Sequence, residues 1–173
     1  RDRSADTPIV RAQRLEAGGG GLYFKLESQN PGGSIKDGIG LRMIEAAEAR
    51  GDIAPGATLV EGTAGNTGIG LALVAQQKGY KLILVVPDKM SREKNLNLKA
   101  MGAEVRLTRS DVVKGPPEYY QDLAAIIHAQ TLRAHFINPH STPHNPAAHE
   151  FSTRLEISQQ LGGAQAPTLT GFG

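Results

Sequence analysis

From Thr58 onward the chain alternates short apolar runs with amphipathic segments, and nothing else in it constrains the fold as much. "TLVEGTA" holds a β-type run from Thr58 to Glu61. "GNTGIGLALVAQQKG" reads as a helix from about Asn66 to Lys78, with Ile69, Leu73 and Gln76 or Gln77 on one face and Gly79 closing it. "YKLILVVP" is a near-continuous apolar strand stopped by Pro87, the pattern of a strand buried on both faces. "SREKNLNLKAMG" is a helix capped by Ser91, with Glu93 in its first turn and Gly102 past its end. "AEVRLT" is the next strand. "PPEYYQDLAAIIHAQ" is the next helix, opened by prolines and spaced through Tyr120, Leu123, Ile126 and Ile127. "AHFIN" closes the series as a strand. This order predicts an α/β fold, a parallel sheet flanked by helices with right-handed crossovers.

Around this series lie further elements. "GLYFKLE" is a strand candidate, and a helix is expected from about Ser34 to Arg50, with Ile39, Met43, Ala46 and Ala47 as its core stripe. "HSTPHNPAAH" reads as a loop, "EFSTRLEISQQLGG" as a helix, and "AQAPTLTGFG" as a strand running into a glycine turn.

Composition removes several function classes. With no cysteine among 173 residues, disulfides, thiolate nucleophiles and cysteine-ligated metals are excluded. Nineteen basic and 17 acidic residues leave a net charge of +2 with no basic stripe, so no nucleic-acid partner is expected. No apolar run reaches the length of a membrane span and no signal-peptide pattern is present, so the expected setting is cytoplasmic, away from membranes. The chain opens on Arg1 and not Met, which points to a piece of a longer protein. His140, His144 and His149 share one loop without helical spacing, and they read as solvated side chains and not metal ligands.

Two glycine-rich turns carry the chemistry. In "GTAGNTGIG", Gly62 to Gly70, a strand runs into a turn that starts a helix, which makes an anion site from backbone N–H groups and the helix dipole. Thr63, Asn66 and Thr67 add side-chain donors. The spacing is neither the dinucleotide fingerprint nor the nucleotide phosphate loop. A short-chain-dehydrogenase reading is a rival, against which count Ala64 in place of a glycine, the late position of the turn, and Leu123 and Ala124 at the offset where a lysine would follow Tyr119 or Tyr120. In "NPGGSIKDG", residues 30–38, Ser34 is a candidate cap and Asp37 its capping-box partner. Lys36 then falls in the first helical turn, where the dipole disfavours an ammonium and favours the neutral amine that a carbonyl-reactive lysine needs.

These segments resemble a known family. "KLESQNPGGSIKDGIGLRMIEAAEARG" is similar to the lysine segment of fold-type II pyridoxal-phosphate enzymes, specifically cysteine synthase (O-acetylserine sulfhydrylase). "LVEGTAGNTGIGLALVAQQKGYKLILVVPDKMSREKNLNLKAMGAEV" is similar to that family's substrate loop and the units after it, and the likeness runs from about Thr7 to the end. The resemblance implies a tryptophan synthase β-like three-layer fold and pyridoxal 5′-phosphate as cofactor. It implies Lys36 as the lysine forming an aldimine with the cofactor's C4′ carbon, and Asn66 as a donor to its 3′-oxygen. Thr63, Ala64, Gly65 and Thr67 would hold the substrate carboxylate. The implied reaction is β-replacement through an α-aminoacrylate, making L-cysteine from O-acetyl-L-serine and sulfide. A cystathionine β-synthase-type reaction with homocysteine is the alternative, and a catalytically inactive binding module is a third reading.

The same resemblance implies a division of the chain. Residues 1–40 would belong to the larger cofactor domain, 41–145 to the small α/β domain, and 146–173 to the start of the larger domain's remainder, with the C-terminal half missing beyond "TGFG". A homodimer is implied for the full-length family. Three local departures stand out: Gly38 where the family has arginine, Pro139 where it has glutamine, and Thr153-Arg154-Leu155 where it has Thr-Gly-Pro.

Overall fold

A computed structural model describes residues 6–14, 21–137 and 153–162. A two-stranded antiparallel hairpin comes first, from β1 (Ile9–Arg11) and β2 (Tyr23–Lys25). Then follow α1 (Lys36–Arg50), β3 (Thr58–Gly62), α2 (Asn66–Lys78), β4 (Lys81–Pro87), α3 (Arg92–Ala100), β5 (Glu104–Thr108), α4 (Tyr120–Gln130), β6 (Ala134–Phe136) and α5 (Arg154–Gln160). The expected alternation is present throughout. The closing "AQAPTLTGFG" strand, the "HSTPHNPAAH" loop and Pro139 lie outside the described residues.

The four strands β3 to β6 form one parallel sheet in the order β5-β4-β3-β6. Helices cover both faces, because the central strands β3 and β4 offer apolar residues in both directions. On one face Leu59, Leu82, Leu84 and Val86 pack with residues of α1, α2 and α3. On the other, Val60 and Val85 pack with Ala124, Tyr120, Leu123 and Ile127 of α4. Strand β4 is buried on both sides, as its unbroken apolar run requires.

Two local expectations are corrected. The buried part of α2 is broader than the predicted Ile69–Leu73–Gln76/77 stripe. Ile69, Leu71, Ala72, Val74 and Ala75 are buried, Leu73 is half-buried, and both glutamines are exposed. The helix lies between the sheet and α1, so a single-face pattern does not apply. On α4, Ala124 is the buried residue and Ile126 faces solvent. For α3 the sequence reading and the structure coincide: Ser91 Oγ accepts the Lys94 N–H at 3.3 Å.

Helices α1 and α2 touch along small residues. A Cβ on Gly40 would lie 2.7 Å from the Gly70 carbonyl carbon, and one on Gly70 would lie 2.5 Å from the Lys36 carbonyl oxygen. Only glycines allow backbones this close. Further along, Lys78 Nζ pairs with Glu48 at 2.7 Å and the Tyr80 hydroxyl donates to Glu48 at 2.8 Å. Helix α5 is tied to the hairpin, where Lys25 Nζ contacts Glu156 Oε2 at 2.6 Å and Gln160 Nε2 donates to the Thr7 carbonyl at 3.1 Å.

Candidate active site

The strand order reverses at β3, which has β4 on one side and β6 on the other. In an open parallel sheet such a reversal leaves a crevice beyond the carboxyl ends of the strands. Gly62 ends β3 at that place, and residues 63–65 lead into α2.

The start of α2 is uncapped by any side chain, and its first turn holds no acidic residue. Its leading N–H groups and the positive end of its dipole are thus left for an outside partner. Thr63 is buried; its N–H donates to the Val85 carbonyl at 2.9 Å and its Oγ1 accepts the Gly65 N–H at 3.4 Å. Gly65 is extended, and a Cβ there would meet nothing within 4 Å, so open space lies before the turn. Ala64 and Asn66 are exposed and Thr67 is half-buried. Asn66 Oδ1 faces Lys94 Nζ at 3.5 Å.

The start of α1 differs from its sequence reading. The helix begins at Lys36, and Ser34 Oγ accepts the Lys36 N–H at 3.2 Å. The predicted capping box does not form. The Asp37 carboxylate instead accepts the N–H of Gly32, closing the turn that precedes the helix. Asp37 is 1% exposed, and its second oxygen has no partner. Burial raises its carboxyl above the usual range, the Gly32 N–H opposes this, and nearby Glu27 adds to it.

The helix pairing brings these two starts together. Gly40 meets Gly70 and Glu48 meets Lys78, so the helices run in the same sense with an offset of 30 residues. That offset matches Lys36 with Asn66, the first residues of α1 and α2. Lys36, Thr63, Ala64, Gly65, Asn66 and Thr67 therefore gather at one end of the helix layer.

Sequence reasoning missed one residue at this end. Glu61, the penultimate residue of β3, is 2% exposed and one of its carboxylate oxygens has no partner. Burial pushes its carboxyl up to about 9. Tyr120 is also held above its ordinary value by burial, by Tyr119 and by Glu61. The available signal was a single charged residue inside the apolar "TLVEG" run.

A four-stranded parallel sheet flanked by helices, with a lysine at one helix start and an uncapped, acid-free turn at the next, defines the class: an α/β protein with an open site beyond the carboxyl ends of its strands. The chain belongs to the pyridoxal-phosphate dependent enzyme family, whose sequence profile matches residues 2–170. It is 45% identical over 159 residues to a cysteine synthase of Staphylococcus aureus, covering 91% of this chain and 50% of that protein. It is 44% identical over 161 residues to the cystathionine beta-synthase of Rattus norvegicus, covering 91% of this chain and 29% of that protein. Among solved structures, O-ureido-L-serine synthase superposes with a TM-score of 0.85 at 34% identity, over 94% of this chain and 50% of that one. A hydrogen sulfide-producing enzyme from Fusobacterium nucleatum gives 0.82 at 37% identity, over 91% and 51%. The chain thus spans between 29% and 51% of the length of these relatives. The fold is the fold-type II arrangement that the sequence predicted, and the family's cofactor is pyridoxal phosphate.

The residues present fit that group. The uncapped, acid-free start of α2 and the open space at Gly65 suit a carboxylate or phenolate oxygen, and Lys36 supplies an amine at the same end.

Proposed function

We propose that this chain carries the lysine and carboxylate-binding elements of an enzyme forming L-cysteine from O-acetyl-L-serine and sulfide, with release of acetate. The observation that supports the reading is the close packing of α1 on α2, in which a Cβ on Gly70 would stand 2.5 Å from the Lys36 carbonyl oxygen, so that the helices starting at Lys36 and Asn66 share one end. Lys36 would hold the cofactor, and its Nζ is the base for the substrate Cα proton. Asn66 would donate its side-chain amide to the cofactor's 3′-oxygen. Thr63, Ala64, Gly65 and Thr67 would hold the substrate carboxylate at the positive end of α2. Bound pyridoxal phosphate supplies an electron sink for the charge left on Cα.

A second reading has homocysteine as the incoming thiol, giving cystathionine. The near-equal identity to cysteine synthase and cystathionine beta-synthase favours keeping it. Assembly as a homodimer and a cytoplasmic setting belong to the same proposal; among the described residues no helix is long and apolar enough to cross a membrane.

The test adds pyridoxal phosphate to purified protein. A visible band above roughly 400 nm, set by the conjugated cofactor, is expected, and Lys36→Ala should abolish it. Product analysis with O-acetylserine plus sulfide, against homocysteine, separates the two reactions. No band at any cofactor concentration overturns the enzyme reading and leaves a binding module.

A further inference from the structure

The carboxylate of Asp37 is the least accessible charged group beside Lys36. It accepts the Gly32 N–H, and a Cβ on Gly32 would collide with it. It therefore closes a loop from Gly32 to the first turn of α1. The base of that loop is a tight turn, in which the Gly33 N–H donates to the Asn30 carbonyl at 2.8 Å. Asn30 is itself buried and held through its side-chain amide, which donates to Glu27 Oε2 at 2.7 Å. On the other side, the Asp37 Cα lies 3.0 Å from where a Gly70 Cβ would stand. Asp37 thus sits between the entering turn and the contact with α2.

The arrangement is costly as a purely stabilising device. One carboxylate oxygen is buried without a donor, and such a group destabilises a fold. Among the described residues, no cation acts on it. A buried polar group retained at that cost, one residue from a reactive amine, reads as an aiming device.

We propose that Asp37 is a positioning residue for Lys36: its carboxylate clamps the Gly32 N–H and so holds the first turn of α1 in register against Gly70. The proposal rests on the reading of Lys36 as the cofactor lysine. Removing the clamp frees the 30–35 turn, and Lys36 loses its fixed place at the head of α2. Displacement of a reacting group by about 1 Å lowers reactivity by one to two orders of magnitude.

The experiment measures the reaction of individual lysines with pyridoxal 5′-phosphate. Wild-type, Asp37→Asn and Asp37→Ala proteins are incubated with it, trapped with borohydride, digested and quantified by mass spectrometry. Label on Lys36 is expressed relative to exposed Lys81 in the same sample. Wild type should favour Lys36, and Asp37→Asn, which keeps an acceptor for Gly32, should stay within about twofold of it. Asp37→Ala should lose about tenfold in that ratio. Rescue by asparagine separates positioning from charge. If Asp37→Ala does not fold, Gly32→Ala breaks the same contact from the other side and should show the same loss. Full Lys36 preference in a folded Asp37→Ala or Gly32→Ala protein overturns the proposal alone. Equal labelling of Lys36 and Lys81 in wild type overturns the reading of Lys36 and the proposal with it.

Discussion

Glu61→Gln tests the electrostatics of the site directly. Burial raises the Glu61 carboxyl from 4.5 to about 9, so the folded chain holds a proton that the unfolded chain releases. A raised folded value means that the stabilising contribution is complete below about pH 4.5 and is lost as pH rises through about 9. Across that window each pH unit costs about 1.4 kcal/mol. Between about pH 5.5 and about pH 7.5 the wild-type protein should therefore lose about 3 kcal/mol through this group alone. Glutamine cannot ionise, so the variant should lack this slope. Its absolute stability also reflects how well the amide is accommodated, so the slope is the quantity to compare. Asp37 and His135 are also shifted, but both are present in the two proteins and cancel in the difference. Urea unfolding followed by circular dichroism at several pH values supplies the free energies. Parallel curves for wild type and Glu61→Gln would refute the reasoning, because they would mean that Glu61 is ionised in the fold or paired with an unrecognised donor.

Two further substitutions probe the scaffold. Gly70→Ala puts a Cβ 2.5 Å from the Lys36 carbonyl oxygen, backbone against backbone, so α1 must move off α2. A loss of about 1–3 kcal/mol in denaturant unfolding is expected, with weaker pyridoxal phosphate binding. Lys25→Met leaves the partly buried Glu156 carboxylate without its ammonium. It should cost about 2 kcal/mol and speed amide exchange in α5 ahead of the sheet; unchanged exchange in α5 would show that the helix is held by other contacts.

The elements were legible because each has a local cause. The apolar run from Leu82 to Val86, stopped by Pro87, has the length and β-branched content of a strand covered on both sides, and it is that strand. Ser91 three residues before a backbone N–H is a cap wherever the chain goes next. Local reasoning failed where a residue had competing partners. Asp37 was in range for a capping box, but the Gly32 N–H reached it first, because the turn folds back over the helix start. The α2 stripe was read as one face, but a helix held between a sheet and a second helix has little free surface to mark as polar. The pairing of β1 with β2 had no turn signal of the two-residue kind, and the residues between them exceed a tight hairpin.

Pattern alone sufficed for the α/β class, the parallel sheet, the two glycine turns and the lysine worth watching, since hydrophobic period and turn chemistry act over a few neighbouring residues. Folding in three dimensions decided the rest. That Lys36 and Asn66 share one end follows from two helix backbones meeting at Gly40 and Gly70, a contact between segments 30 residues apart. That Glu61 keeps its proton follows from how completely the surrounding layers exclude water, a property of the packed whole that no stretch of residues carries by itself.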